Sequence, residues 1–448
     1  MSYLLNTVTT TALSTAIVGF ITLTAVAQEG PLQDPLPPQK HVSFATKPLS
    51  LKTAYELRKG FHPHAIFPAT DYNLYYHGHW SEFIPSHTVS RSGAISGLSY
   101  NLNKQVGQAT ATTELGELSL QEVIKHPDSR IQGFVVVHNG EIIFETYPGM
   151  RETDNHIWMS TTKTIVGLLV SQLEEEGLID VQKPVSAYLD EFKGSNWEHI
   201  RIIDILDMTT GLDASETSPS LMNPAHPVHY WQKLVLHGGQ ELKPMTSRDA
   251  ILAVPDFEEL KAGHLYQYSS LASQVLGFLV EQVLDRRLSD VVTERIWSKM
   301  GAEGDATLGL NDAGNAGIFA LLSSRLRDKA RYGMLYTPSW SSVAQEQVVS
   351  QSVIEKIQTG CRPQIYARTK KMAMQAGHWY ASADTDVVCN SRQWDAVYKD
   401  GDFYKTGSHG QGLYVSPSRN LVVAFFSTSD HDWQDYARAI AKTVVPKP

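Results

Sequence analysis

The fold class that this 448-residue sequence predicts is α/β, with one antiparallel sheet built from both chain ends, flanking helices and an inserted, mostly helical subdomain. Three observations lead to this prediction. Apolar runs rich in β-branched and aromatic residues occur at 131–145 and again at 412–427. A strongly apolar helical run, 160–176, follows the first of these. Between about 180 and 300 the pattern is mostly helical, with breaks at Gly and Pro.

The first 27 residues contain no charged side chain and end in the small-x-small pattern Ala-Val-Ala at 25–27. Such a segment is typical of a secretory signal peptide, here with cleavage after Ala27. Because its start has no Lys or Arg, an uncleaved membrane anchor is the alternative. We therefore expect an exported protein, periplasmic or secreted, with no stable membrane association once the signal is removed.

Residues 28–115 are interpreted as a Pro- and Gln-rich linker, 28–50, followed by an extension rich in aromatic residues and histidines. Two His-x-His pairs, at 62–64 and 77–79, have a spacing that can chelate Zn²⁺. No Cys and no His-bearing helix with a Glu lies near them, so we expect an aromatic-rich surface or lip rather than a metal site. The rest, 116–448, is predicted to form the α/β domain.

The first strand pair is a predicted hairpin. Ile131–His138 and 141–145 are joined by Asn-Gly at 139–140, the strongest short signal for a hairpin turn. The helix at 160–176 follows and is stopped by Gly177. Because this helix is apolar on most faces, we expect it to be buried and its first turn to be held rigidly.

The C-terminal part predicts a second strand pair, 412–415 and 421–427, and then an amphipathic helix at about 433–444. Two cysteines, Cys361 and Cys389, could form a disulfide after export, although two cysteines alone do not establish one.

Composition excludes some classes of function. A net charge of −9 leaves no basic surface to neutralise many phosphates, which argues against general nucleic-acid binding. A content of 42% hydrophobic and 9% aromatic residues argues against disorder.

Ser160 and Lys163 are three residues apart at the start of the apolar helix, so they share one face within a single turn. A serine hydroxyl is a poor nucleophile until a base takes its proton. A lysine held against apolar walls has a lowered pKa and can act as that base. Because Ser-x-x-Lys also arises by chance in a chain of this length, the pattern alone does not establish catalysis.

A second candidate is the polar turn Tyr-Ser-Ser at 268–270, which leads into the apolar run 275–280. One interpretation is an N-cap, in which Ser269 or Ser270 accepts backbone N–H bonds. The other is a proton shuttle. A phenol at Tyr268, its deprotonated form supported by a nearby ammonium, would pass a proton to a leaving group.

The third candidate is Lys-Thr-Gly, with Lys405 and Gly407 at its ends, followed by Ser408 and His409. A glycine at a strand edge lets a substrate carbonyl approach the backbone. An N–H there could complete an oxyanion hole with that of Ser160, and such a donor contributes about 3 kcal/mol to transition-state stabilisation. A simple turn with a glycine cluster is the alternative.

Taken together, Ser-x-x-Lys, Tyr-Ser-Ser and Lys-Thr-Gly in this order resemble the motif set of the serine β-lactamase and penicillin-binding-protein superfamily. The sequence is most similar to its class-C-like branch, with the family VIII esterases and the 6-aminohexanoate-dimer hydrolases. Segments 203–212, 325–333 and 412–417 also look like blocks of that family. The resemblance covers about residues 125–445.

The resemblance implies a β-lactamase-like, or transpeptidase, fold and a set of catalytic roles. Ser160 would be the nucleophile, Lys163 its activating partner, and Tyr268 the general base and then the general acid. The chemistry would proceed through an acyl-enzyme on Ser160 with a small-molecule ester or amide as substrate. It implies no metal and no organic cofactor.

Two departures from the β-lactamase pattern bear on the substrate. Ser270 stands where β-lactamases usually carry Asn, and the turn after Lys405 is one residue shorter. The shorter turn leaves the oxyanion donor open between Ser408 and His409, of which we prefer Ser408. Both departures favour an esterase or an amidase.

We therefore expect a serine hydrolase that cleaves carboxylic esters or linear amides. A β-lactamase or D-alanyl-D-alanine peptidase is the alternative, and a non-catalytic ligand-binding member of the fold is a second one. The aromatic run 72–80, the turn 409–411 and the pair Trp379-Tyr380 are expected to line an apolar pocket.

Overall fold

The computed structural model describes residues 42–61, 70–216, 218–235, 246–257, 260–311, 313–375 and 386–447. The predicted signal segment, the His-x-His pair at 62–64 and the pair Trp379-Tyr380 lie outside these ranges. In the described ranges, none of the helices combines the length and apolar character that a membrane span needs.

Strands from both chain ends form the main sheet. Taken over all sheets of the described ranges, the strands are β1 Ser86–Val89, β2 Thr110–Thr113, β3 Gly116–Ser119, β4 Ile131–His138, β5 Glu141–Thr146, β6 His156–Ile157, β7 Ala306–Gly309, β8 Leu322–Ser324, β9 Val387–Ser391, β10 Trp394–Tyr398, β11 Phe403–Gly407, β12 Gln411–Ser416 and β13 Leu421–Ser427. Seven of these pair in the order β5-β4-β13-β12-β11-β10-β9, all antiparallel. The predicted α/β fold, with its sheet drawn from both ends of the chain, is confirmed.

The hairpin β4–β5 forms where the sequence predicts it. Asn139 and Gly140 both have positive φ, 51° and 85°, as a two-residue hairpin turn of this kind requires. The sheet is wider than predicted, because β9, β10 and β11 are short strands in which polar residues interrupt the apolar pattern. One of these unpredicted strands, β11, carries Lys405 and Gly407.

A second antiparallel sheet has the order β1-β7-β8-β6. Its edge strand β1 belongs to the predicted extension, and its other edge strand, β6, ends three residues before Ser160. The hairpin β2–β3 spans the predicted domain boundary at 115/116. The described part of the extension therefore pairs directly with the rest of the chain.

Helices surround the two sheets. The α-helices are α1 Leu51–Gly60, α2 Asp71–Tyr76, α3 Lys104–Gln108, α4 Leu120–Lys125, α5 Lys163–Glu175, α6 Ile202–Leu206, α7 Ser218–Met222, α8 Pro227–Val235, α9 Ser247–Leu252, α10 Ser270–Leu284, α11 Leu288–Arg295, α12 Leu326–Met334, α13 Gln351–Thr359, α14 Pro363–Gln375 and α15 Gln434–Ala439. As predicted, α5 is buried and ends before Gly177, which has a φ of 72°. It begins at Lys163, three residues later than predicted. It packs against α10, and α12 packs on β13. This packing holds the start of α5 in the interior.

Cys361 and Cys389 form a disulfide, with their Cα atoms 6.1 Å apart. It links the segment between α13 and α14 to β9, at the edge of the main sheet. The possibility raised by the sequence is thus realised in the structure.

Candidate active site

The segment that carries Ser160 is a short bridge from β6 to α5. A 3₁₀ turn, Met159–Thr162, makes this bridge, and Met159 has a left-handed φ of 48°. Such a conformation is costly for a side chain that is not glycine, and it persists only where neighbours enforce it. Here the N–H of Trp158 donates to the carbonyl of Leu322 at 2.7 Å. Ser160 lies at the cleft surface with 8% of its area exposed.

Lys163 has no solvent exposure, and its amine contacts three oxygen acceptors. Its Nζ donates to Ser160 Oγ at 3.0 Å, to Ser270 Oγ at 2.9 Å and to the carbonyl of Phe319 at 2.8 Å. Burial lowers the pKa of Lys163 to about 7, and the carboxylate of Glu216 opposes this shift. Near neutral pH a large share of the amine is therefore uncharged, with its nitrogen beside the serine hydroxyl.

Tyr268 is half-buried in the loop before α10, with an amine near its ring from each of two elements. The Nζ atoms of Lys163 and Lys405 lie 5.1 and 5.0 Å from the centre of its ring. Ser269 is the N-cap of α10 and accepts from the N–H of Ala272 at 3.3 Å. The N-cap interpretation is therefore correct for Ser269, and it places the tyrosine beside the two lysines. Ser160, Lys163, Tyr268 and Lys405 are called the catalytic cluster below, after the role that the sequence predicts for them.

Lys405 is fully buried on β11 and forms an ion pair with Asp395 at 2.6 Å. Burial lowers the pKa of Lys405, and the pairing with Asp395 opposes that change. Gly407 ends the same strand close to the segment that leads to Ser160, since an added Cβ would lie 2.9 Å from the carbonyl oxygen of Trp158. A glycine is required here because the two backbones approach each other so closely.

The turn after β11 presents two neighbouring residues in opposite ways. Ser408 is exposed and lines the cleft together with Ser160. His409 has a left-handed φ of 65°, and its side chain is buried against His77. Of the two residues between which the sequence leaves the oxyanion donor open, Ser408 is the one beside the cleft. Residues 407–410 are called the oxyanion turn below, after the role that the sequence predicts for this turn.

Glu216 is a site residue that sequence reasoning missed. Its Oε1 accepts the N–H of Ser270 at 2.5 Å. Its negative charge raises the pKa of both Lys163 and Lys405, and so opposes the larger lowering that burial causes. No local motif surrounds it, and the chain between α6 and α10 brings it to the cleft. The carbonyl of Phe319, which accepts from Lys163, is equally invisible in the sequence.

The cleft has one apolar wall and one carboxylate. Its lining consists of Met159, Ser160, Glu216, Leu221, Val228, Trp231, Gln232, Ser270, Phe319, Ala320, Leu321 and Ser408. The expectation that the aromatic run 72–80 lines this pocket is wrong. Tyr76 and Trp80 are buried in the layer formed by the extension, packed with Phe61 and Phe83, because large aromatic rings stabilise most when fully removed from water.

The second His-x-His pair also differs from the expectation of a surface. His77 is buried and His79 is partly buried, where its ring stacks on Tyr75. Within the described ranges, no group of three or more His, Cys, Asp or Glu side chains is arranged to hold a metal ion.

Comparisons with known proteins bear on the family and on the fold. The Beta-lactamase family model matches residues 120–445. Among curated proteins, the 6-aminohexanoate-dimer hydrolase of Paenarthrobacter ureafaciens is 25% identical over 303 residues, which cover 67% of this chain and 72% of that protein. Protein flp of Staphylococcus aureus strain N315 is 24% identical over 207 residues, 42% of this chain and 38% of flp.

Solved structures show the same fold. A Bacillus anthracis protein described provisionally as a 6-aminohexanoate-dimer hydrolase superposes with a TM-score of 0.66 at 21% identity, covering 82% of this chain and 92% of its own. EstCE1, described as a hydrolase with promiscuous acyltransferase activity, superposes with a TM-score of 0.52 at 15% identity. The superposition covers 71% of this chain and 94% of EstCE1. At these identities the likeness establishes the fold alone.

Proposed function

Because this chain belongs to the Beta-lactamase family and is a serine hydrolase, we propose that it cleaves carboxylic esters or linear amides through an acyl-enzyme on Ser160. The observation that carries this proposal is the contact between Lys163 and Ser160. A fully buried amine lies 3.0 Å from the serine hydroxyl, and burial brings its pKa to about 7. A base poised near the working pH is what general-base activation of a serine needs.

In the proposed acylation step, Ser160 Oγ forms a bond to the substrate's carbonyl carbon. The hydroxyl proton passes to the pair of Lys163 and Tyr268. The tetrahedral intermediate then breaks its bond to the alcohol or amine, which leaves with a proton delivered by the Tyr268 hydroxyl. The two lysine amines beside the Tyr268 ring support negative charge on the phenol oxygen during this transfer.

In the deacylation step, water attacks the acyl carbon and gives a proton to the same pair of side chains. The acid product leaves, and Ser160 recovers its proton. In both steps the N–H groups of Ser160 and Ser408 would stabilise the oxyanion, because both residues line one cleft.

The residues around the cleft favour an ester or a linear amide over a β-lactam. Ser270 Oγ accepts a hydrogen bond from Lys163 and carries no amide with which to bind a β-lactam's side chain. A site without a partner for a buried polar group of the substrate loses transition-state binding. The apolar wall made by Leu221, Val228 and Trp231 would accept an alkyl or aryl acyl group. The 6-aminohexanoate-dimer hydrolase, a relative of this chain, is named for a linear amide.

The test compares kcat/KM on p-nitrophenyl butyrate, the linear dimer of 6-aminohexanoic acid, and nitrocefin, with Ser160→Ala as the blank. We expect the ester to exceed nitrocefin by about 10²-fold or more, roughly 2.7 kcal/mol in barrier height. Nitrocefin turnover as fast as ester turnover would contradict the proposal and favour the β-lactamase alternative. No Ser160-dependent turnover of any of the three would contradict it as well.

We further propose that the protein is exported. The Cys361–Cys389 disulfide supports this, because such bonds persist mainly in oxidising compartments. N-terminal sequencing of protein recovered from outside the cytoplasm should begin at Gln28, and intact protein in the cytoplasm alone would contradict export.

A further inference from the structure

His77 belongs to the extension, before the residues that the family model matches, yet it lies beneath the active site. It follows α2 as its C-cap and is completely buried. Its backbone contacts β6, and its ring contacts the oxyanion turn. We call His77, His156 and His409 the histidine cluster.

The backbone of His77 holds the segment that leads to Ser160. Its carbonyl accepts the N–H of Ile157 at 2.9 Å, three residues before Ser160. On the other side of β6, the N–H of Trp158 is held by Leu322. The strand that leads to the strained turn at Met159 is thus held between the extension and β8.

The ring of His77 holds the oxyanion turn. The centres of the His77 and His409 rings are 5.1 Å apart, and the centre of the His156 ring lies 5.4 Å from that of His77. His409 has a left-handed backbone, and its carbonyl accepts the N–H of Ser429 at 3.2 Å. A side chain in that conformation needs contacts that offset the cost, and the His77 ring supplies one.

The extension itself is anchored at this place. Arg130 donates to the carboxylate of Asp71 and to the carbonyl of Thr70, both at 2.8 Å. Its Nε donates to the carbonyl of Thr428, just after β13, at 2.9 Å. The position of α2, and so of His77, is therefore tied to the end of the strand beside the oxyanion turn.

We propose that His77 is a positioning residue, which sets the distance between the backbone N–H groups of Ser160 and Ser408 through its carbonyl and its ring. This inference rests on the proposed function, because it assigns those two N–H groups to the oxyanion. A shift of the oxyanion turn weakens the stabilisation of the oxyanion but leaves the cleft in place.

The experiment uses the full-length protein with His77→Ala, His77→Phe and, as a matched control, Trp80→Phe. Trp80 is a buried aromatic residue of the same extension that packs on Phe61 rather than on the turn. For His77→Ala we expect kcat on p-nitrophenyl butyrate to fall about 10- to 30-fold with little change in KM. His77→Phe should restore most of kcat because it restores the ring, and Trp80→Phe should change only the melting temperature.

Hydrogen exchange, read by mass spectrometry, tests the positioning without using activity. His77→Ala should accelerate exchange in the peptides that span 156–160 and 405–412, and Trp80→Phe should not. Unchanged exchange in these peptides, or a kcat loss no larger than that of the control, would overturn the inference. So would His77→Phe behaving like His77→Ala. Wild-type turnover is measured in parallel, so the absence of hydrolysis would count against the proposed function and leave the exchange result to decide the positioning.

Discussion

Lys163 of the catalytic cluster and His77 of the histidine cluster are both fully buried, but their polar atoms have different surroundings. The amine of Lys163 contacts three oxygen acceptors, one of which is the hydroxyl of Ser160 at the cleft. The ring of His77 instead packs against the rings of two other histidines, away from the cleft lining. Burial lowers the pKa of both Lys163 and His77.

A lowered pKa therefore marks a candidate reactive group only where a reacting atom is within reach. The buried Lys329 makes the same point, because burial also lowers its pKa. Its amine lies over the ring of Phe426, 4.5 Å from the centre, and 3.3 Å from the carbonyl of Phe425. It contacts no hydroxyl in the cleft lining, so we assign it to the core.

The largest effect is expected from Ser160→Ala. Removal of the nucleophile should lower kcat/KM on p-nitrophenyl butyrate by about 10⁴-fold or more. One small side chain at a cleft contributes little to stability, so the near-UV circular dichroism should be unchanged. A fluorophosphonate should label Ser160 in the wild type, as mapped by mass spectrometry. An adduct on a different residue would contradict the assignment.

The next largest effect distinguishes the buried amine of Lys163 from a buried amine outside the cleft. Lys163→Ala and Tyr268→Phe should each lower kcat by about 10³-fold, and the double variant should be little worse than either one, because the two act in the same proton transfers. If the two losses multiply in the double variant, the shared role is wrong.

Lys329→Met is the matched control for this prediction. It also removes a fully buried amine whose pKa is lowered, but one outside the cleft lining. We expect its kcat to stay close to that of the wild type. A loss comparable with that of Lys163→Ala would show that burial, and not the contact with Ser160, governs activity.

A smaller effect is expected on the pH profile from Glu216→Gln. The carboxylate raises the pKa of Lys163, so its removal should lower that pKa further. Because Lys163 must be neutral to accept a proton, the acidic limb of kcat/KM, near pH 7 in the wild type, should move to lower pH. The glutamine keeps an oxygen for the N–H of Ser270. Glu191→Gln, on a carboxylate paired with Arg248 at the surface, should leave the limb in place.

The smallest effect concerns the pH dependence of stability. Burial lowers the pKa of His77, and the facing groups His409, His156 and Arg130 lower it further, while a hydrogen bond with the backbone of Ser427 opposes the shift. A histidine kept neutral in the folded state contributes stability that is present above its unfolded pKa of about 6.5 and is lost as the pH falls below it. The free energy of unfolding should therefore fall less between pH 7.5 and 5.5 in His77→Phe than in the wild type, by about 1 kcal/mol. Denaturant unfolding at the two pH values measures this. Parallel loss in both proteins would contradict it.

Local patterns explain why much of the fold was predictable. The hairpin at 139–140, the buried helix α5 and the strands β12 and β13 each have an apolar period and a turn residue within a short stretch of sequence. The three polar motifs also named Ser160, Lys163, Tyr268 and Lys405, which the structure places close together. The aromatic run 72–80 was misplaced, because its composition is equally compatible with a pocket wall and with a buried layer.

The sequence predicted that Ser160 and Lys163 lie close together, because residues three apart in a helical turn are neighbours. Their contact of 3.0 Å agrees with this, although Ser160 lies in the 3₁₀ turn before α5. The sequence by itself also determined that two ends of the chain form strands. The lowering of the Lys163 pKa to about 7 is instead a product of packing, because burial causes it. Two oxygen partners of the buried amine, Ser270 and the carbonyl of Phe319, lie more than 100 residues away in sequence. The contact of His77 with the oxyanion turn is likewise a product of packing. Periodicity acts over one turn or strand, whereas desolvation depends on every segment that excludes water from the site.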